Sequence, residues 1–323
     1  MKPMTLLFNE DAVTGARRHI SDGAVDLILT DPPYGIAGDT LHRHYHRKEE
    51  FVVDGYVEVP QAQYAHFSRA WVRQAERILR PGGSLYVMSG YSNLRDILNA
   101  LAETELALVN HLIWKYNFGV YTTNKYVSSH YHLLYCVKPG RRPTFNTYCR
   151  FGPSDKNADG GAANYLDRED VWIINREYKP GRRKNKNELP TELLKKVILY
   201  SSNPGDLVCD LFLGGFSTAR VAVGLGRRIV GFELSKSAFR HGVQSMKEVA
   251  PGSLLRLLPP VAENGHANRG RRWTPEERAR LLARYAELRR RGETKRGSID
   301  ILSEEFGRGY FALLNVIDAH ARS

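Results

Sequence analysis

Over the first 250 residues, short apolar runs punctuated by glycine, proline and charge alternate with stretches of helical spacing. Ala24 to Thr30 (AVDLILT) is rich in β-formers and stops abruptly at Asp-Pro-Pro-Tyr-Gly, the pattern of a buried parallel strand ending in a tight loop. From Gln61 to Leu79 the residues Tyr64, Phe67, Trp71, Ala75 and Leu79 share one side of a predicted helix. Arg80-Pro81-Gly82-Gly83 should end that helix, and SLYVMSG reads as the next strand. NHLIWKY (110–116) and YHLLYCVK (131–138) are further predicted strands, and between Pro139 and Asn187 the periodicity dissolves. A helix resumes at Pro190, with proline in its first turn. PGDLVCDLFLGGFSTARVAVGLGRRIVGFELS then reads strand, glycine turn, helix, strand, which is one βαβ unit.

After Pro251 the composition shifts. Residues 251–270 read as a linker, with adjacent prolines and several glycines and asparagines. WTPEERARLLARYAELRRRG opens with a threonine cap, proline at the first helical position and acids in the first turn. SIDILSEEF and YFALLNVIDAHA complete a small helical unit over 271–323, with Leu281, Leu282, Tyr285, Ile299, Leu302, Phe306, Phe311, Leu314 and Ile317 as its expected core. This unit is read as a DNA-binding appendage resembling helix-turn-helix units, with a dimerisation or packing module as the alternative.

The charge balance narrows the choice of partner. Lys and Arg outnumber Asp and Glu by 47 to 35, a net +12 that favours a polyanion, although a merely soluble basic protein would look the same. Three cysteines, Cys136, Cys149 and Cys209, are too few and too scattered for a disulfide framework or a zinc cluster, and none follows a proline. The alternating spacing of the histidines at 42, 44 and 46, with no cysteine nearby, is a weak metal-ligand pattern, so no metal site is expected. No apolar stretch reaches membrane-span length and no signal region opens the chain, which leads to the expectation of a cytoplasmic protein with no membrane partner.

Two motifs carry chemistry. Asp31-Pro32-Pro33-Tyr34 follows the first strong strand. An exocyclic amine is a poor nucleophile because its lone pair is delocalised into the ring. A carboxylate and a backbone carbonyl accepting its two hydrogens would draw the nitrogen towards a tetrahedral geometry. The Pro-Pro pair removes two donors and stiffens the loop, and Tyr34 offers a face for a base swung out of a duplex. A plain turn after a strand is the rival reading. The second motif, Asp210-Leu-Phe212-Leu-Gly214-Gly215-Phe216-Ser217-Thr218, places a glycine turn before a helix, and Glu233 follows at the spacing of an acid that holds ribose hydroxyls. A structural βαβ turn with a solvated Glu233 remains the alternative, and the dinucleotide GxGxxG pattern is absent.

Together these residues resemble the amino-methyltransferases of DNA, in the β group whose catalytic motif precedes the cofactor motif. The resemblance covers roughly residues 5 to 245 and includes LLFNEDAV, RILRPGGSLYVMSG, SSHYHLLYCVK and LPTELLKKVILYSSNPGDLVCDLFLGG. It implies an α/β fold of the class I methyltransferase kind, a Rossmann-like, mostly parallel sheet with helices on both faces, here with the small helical unit added. A methyltransferase domain over 1–250 would contain a target-recognition region near 139–188. The resemblance also implies S-adenosylmethionine as cofactor and double-stranded DNA with a flipped target base as partner. Asp31 and the Pro32 carbonyl would accept the amine hydrogens, Pro33 would complete the motif, and Tyr34 would stack on the base. Glu233 would hold the ribose, Asp11 the adenine, and Asp210 with the backbone from Phe212 through Gly214 and Gly215 the methionine end.

Two departures stand out. The family's last turn glycine is Phe216 here, so its ring must turn away from the methionine moiety. Glu188-Leu189-Pro190 replaces the family's Gln-Lys-Pro, leaving Lys184 and Lys186 as candidates for the lost lysine contact. Basic runs at His42–Lys48 and Arg176–Lys186 suit phosphate anchoring or, equally, a solvated surface. The resemblance implies adenine N6 over cytosine N4, since the family tends to carry Asp rather than Ser at the position of Asp31 for adenine. Ring-carbon methylation is disfavoured because it needs a suitably placed cysteine. A non-catalytic DNA-binding protein on a methylase scaffold is the rival from another class, and restriction-modification and a homodimer are the associated expectations.

Overall fold

The computed structural model describes residues 5–35, 59–117, 123–146, 168–177, 188–255 and 273–322. These fall into two compact units, one built on a sheet and one on the C-terminal helices. The His42–Lys48 run, Cys149, Lys184, Lys186, most of the Arg176–Lys186 run and most of the expected linker lie outside the described residues.

Eight strands form the sheet among the described residues: β1 (Thr5–Phe8), β2 (Val25–Thr30), β3 (Leu79–Ser89), β4 (Ala107–Lys115), β5 (His130–Val137), β6 (Val171–Ile173), β7 (Leu207–Asp210) and β8 (Arg228–Phe232). Their order is β1-β8-β7-β2-β3-β5-β4-β6. Neighbours run parallel except β5, which is antiparallel to both β3 and β4. This is the class I methyltransferase architecture expected from the sequence.

The pleat of β2 feeds two cores. Leu27 and Leu29 face the layer of α4 (Thr191–Ser201) and α5 (Ser217–Gly224), with Leu194, Val197 and Ala222. Ile28 faces the layer of α1 (Ala12–His19), α2 (Gln61–Ile78) and α3 (Tyr91–Ala102), with Ala16, Trp71 and Ile97. Another helix, α6 (Lys236–Met246), follows β8.

Arg80 to Gly83 behave differently from expectation. They do end α2, but β3 already begins at Leu79 and carries the four residues as a bulge: its pairing with β2 jumps from Val25↔Leu79 to Leu27↔Ser84. Gly82 donates its N–H to the Lys138 carbonyl, and the Lys138 ammonium bonds the carbonyls of Glu76 and Leu79, so the turn is held as sheet. Pro190 is the N-cap of α4 rather than a first-turn residue.

In the second unit, α7 (Pro275–Arg290) starts with a full capping box between Thr274 and Glu277. α8 (Lys295–Phe306) ends at Gly307 in the left-handed region, and α9 (Tyr310–Arg322) follows. Leu281, Leu288, Ile299, Leu302, Phe306, Leu313 and Ile317 fill the core. Phe311, expected inside, is 73% exposed, because Leu313 and Ile317 take the inner face of α9. Buried Arg308 pairs with Glu277 at 2.9 Å and lies 4.0 Å over the Trp273 ring. No helix among the described residues is long and apolar enough to cross a membrane.

Candidate active site

β2 and β7 are adjacent and parallel, and the chain continues from them towards opposite edges of the sheet, β3 on one side and β8 on the other. Such a switch point opens a crevice at the carboxyl ends of the strands. Thr30 ends β2, Asp210 ends β7, and the Thr30 hydroxyl donates to Asp210 Oδ1 at 2.9 Å. The two motifs, 180 residues apart in the chain, thereby border one open cavity of roughly 1100 Å³, mouth included.

Asp11, Asp31, Pro33, Asp210, Phe212, Gly214, Gly215 and Glu233 all line it. Pro32 is buried behind the wall, and Tyr34 faces an aromatic group next to the cavity, its ring 6.2 Å from that of Tyr131. With Glu10 and Glu188, six carboxylates surround the space, which makes it a site for a cationic ligand.

Burial sets their protonation. It pushes the Asp210 carboxyl up to about 6 against the hydrogen bonds from Thr218, the Phe212 N–H and Thr30. It pushes Asp31 up to about 7; the Tyr34 hydroxyl, donating to Oδ1 at 3.1 Å, works the other way, Asp210 adds to the rise and the Arg176 charge opposes it. Burial likewise raises Glu233, whose Oε1 accepts the Ser235 N–H at 2.7 Å and whose Oε2 accepts the Gly214 N–H at 2.8 Å. Asp11 caps α1, accepting from the Val13 and Thr14 N–H groups through Oδ1.

The glycine turn is tight. Gly214 has φ 49, and a Cβ on Gly215 would meet Glu188 Oε1 at 2.4 Å. Phe216 also adopts a left-handed φ of 63, rare for so large a residue. Its ring is fully buried against Phe239, 5.8 Å away, and under Gly242, so it leaves the cavity wall to Gly215, Ser217 and Thr218.

Comparison with known proteins adds a family. The model of a DNA methylase family, the N6/N4 methylases, matches residues 25–244. The chain belongs to this family. The methylase is 27% identical over 267 residues to the DNA adenine methyltransferase YhdJ of Escherichia coli K12, a match covering 77% of this chain and 85% of that protein. It is 29% identical over 241 residues to the type II methyltransferase M.BamHI of Bacillus amyloliquefaciens, covering 71% of this chain and 54% of the relative. Among solved structures, TTHA0409 of Thermus thermophilus, a putative DNA modification methylase complexed with S-adenosylmethionine, shares the fold at TM-score 0.53 and 21% identity, covering 77% and 96% of the two chains. The PvuII cytosine-N4 DNA methyltransferase does so at TM-score 0.53 and 17% identity, covering 74% and 88%.

Three features of the methylase site were not visible in the sequence. Glu188, singled out only as part of a departure from the family motif, reaches the glycine turn itself. Arg220 pairs with Glu188 at 3.3 Å and donates to the Gly215 carbonyl at 2.6 Å, a contact that no local pattern marks. Trp114, Tyr116 and Tyr131 form a cluster with ring centroids 5.5 to 5.7 Å apart, beside Tyr34. The alternating aromatics of IWKY and HYHLLY were its available signal. Arg176, grouped by sequence with the basic run, lies over these rings.

Proposed function

We propose that this methylase transfers a methyl group from S-adenosylmethionine to the N6 amine of adenine in double-stranded DNA, with the target base swung out of the helix. The observation that carries this reading is the position of Asp31, between a carboxylate-lined cavity and an aromatic pocket.

The residues present fit the cofactor. Acids around the cavity suit its cationic sulfonium and ammonium, Glu233 stands where ribose hydroxyls can donate to it, and Asp11 stands at the neighbouring strand end for the adenine. The backbone from Phe212 to Gly215, with Asp210, lines the end assigned to methionine. When bound, the cofactor supplies an electrophilic methyl group. Asp31 Oδ1 holds the Tyr34 hydroxyl, leaving Oδ2 to accept one amine hydrogen, with the Pro32 carbonyl assigned to the other. A carboxyl raised to about 7 is also suited to take the proton that the nitrogen must lose. Tyr34 and its aromatic neighbours give the extruded base a stacking surface. The described cysteines argue for direct transfer to nitrogen: burial pushes Cys136 up to about 12 and Cys209 well above its ordinary value, so neither is a thiolate nucleophile.

The test is transfer of labelled methyl to unmethylated DNA followed by digestion to nucleosides. N6-methyldeoxyadenosine is the expected product; N4-methyldeoxycytidine would replace the adenine reading with the cytosine one. Asp31→Ala should abolish transfer and keep DNA binding. Wild-type protein that binds DNA and never consumes cofactor would make the chain a non-catalytic scaffold.

A further inference from the structure

Arg176 stands apart from the basic run it begins. Two bonds fix the backbone just ahead of it: the Trp114 indole donates to the Ile174 carbonyl at 2.8 Å, and the Ile174 N–H donates to the Lys115 carbonyl at 3.1 Å. The side chain is thereby laid inward, its guanidinium carbon 4.7 Å from the Tyr116 ring centre, 5.4 Å from Tyr131 and 5.6 Å from Trp114. Its Nε is buried without a hydrogen-bond partner. A phosphate anchor keeps its head in water; this one is partly buried and lays its guanidinium against three aromatic rings.

The same charge acts on Asp31. Tyr34, Asp210 and Arg176 are the groups that bias its ionisation beyond burial, and the neutral phenol of Tyr64 lies close enough to sense its charge. Among them Arg176 is the cation. It also meets the aromatic pocket at Tyr131, the ring that faces Tyr34.

We propose that Arg176 is a positioning residue of the base pocket, where its guanidinium, seated on Trp114, Tyr116 and Tyr131, keeps Asp31 a carboxylate ready to accept the amine and gives the extruded base a flat cationic neighbour. This rests on the reading of Asp31 as the amine acceptor. Arg176→Met keeps length and apolar contact while removing charge and plane. Arg176→Lys keeps the charge alone.

The experiment measures kcat/KM for labelled-methyl transfer to unmethylated genomic DNA from pH 5.5 to 9, with cofactor affinity measured by calorimetry. Wild type should show an acid limb near 7, because kcat/KM reports groups of the free enzyme. In Arg176→Met the limb moves to higher pH, so the loss is several-fold at pH 6.5, on the order of the displacement of the limb, and shrinks steadily towards pH 9. Cofactor affinity stays within about twofold of wild type. Arg176→Lys returns the limb towards its wild-type place while KM for DNA stays raised. A loss equal at every pH, or an unmoved limb, overturns the proposal. If Arg176→Met fails to bind cofactor, Arg176→Gln carries the same comparison. Asp31→Ala tells the two readings apart: an active variant overturns the role of Asp31 itself, whereas an inactive one beside an unmoved Arg176→Met limb overturns only Arg176.

Discussion

Replacing Asp210 with asparagine separates charge from shape at the floor of the crevice. The carboxyl is 3% exposed and held at about 6, against 3.8 for an ordinary aspartate. Well below pH 3.8 it is protonated whether the chain is folded or not. Between pH 4 and 6 the folded protein retains a proton that the unfolded chain has released, so stability falls as pH rises and the loss is complete above 6. At 1.36 kcal/mol per tenfold change in ionisation, holding this group ionised at pH 8 costs the ligand-free protein about 3 kcal/mol. Asparagine keeps the oxygen that accepts from Thr30 and the Phe212 N–H and removes the charge. Asp210→Asn should therefore melt roughly 4–8 °C above wild type at pH 8 without cofactor, and only about a third as far above it at pH 4.5, where the cost has fallen to about 1 kcal/mol. Scanning calorimetry at the two pH values is the assay. A variant that melts lower at pH 8, or gains equally at both, would refute the argument that burial of this charge dominates its energetics.

Two further substitutions probe packing and capping. Gly242→Ala would place a Cβ 2.2 Å from the Phe216 ring, so it should destabilise the sheet unit by about 1–3 kcal/mol in a urea titration and weaken cofactor binding in calorimetry, since Phe216 anchors the glycine turn. Thr274→Ala removes the N-cap of α7 and should cost about 1 kcal/mol, read as roughly fivefold faster amide exchange over Pro275–Arg290.

The parts legible in the sequence are those where residue type alone constrains the backbone. AVDLILT reads as buried on both faces, and DPPY and LGG follow strands, so both site loops are legible in the sequence although their adjacency is not. That adjacency comes from strand order, which no local pattern encodes. α3 carries a readable stripe in Leu94, Ile97, Leu98 and Leu101, whereas β6, three residues long, has nothing to read. Phe216 was expected to turn away from the methionine end, and the left-handed backbone at this position, with Gly242 opposite, is how it does so. Arg176 illustrates the opposite limit: neighbours in sequence tied it to phosphates, whereas its rings come from strands some 45 to 62 residues earlier.

The acid-lined crevice has a consequence for what the protein admits. The chain as a whole carries +12, yet the crevice at its strand ends is walled by Glu10, Asp11, Asp31, Glu188, Asp210 and Glu233. Were a duplex the partner, as proposed, its phosphates would be repelled at this entrance, whereas an uncharged base detached from its stack would not. The same fence sorts small molecules, welcoming a positive donor and loosening its hold once the positive charge is gone.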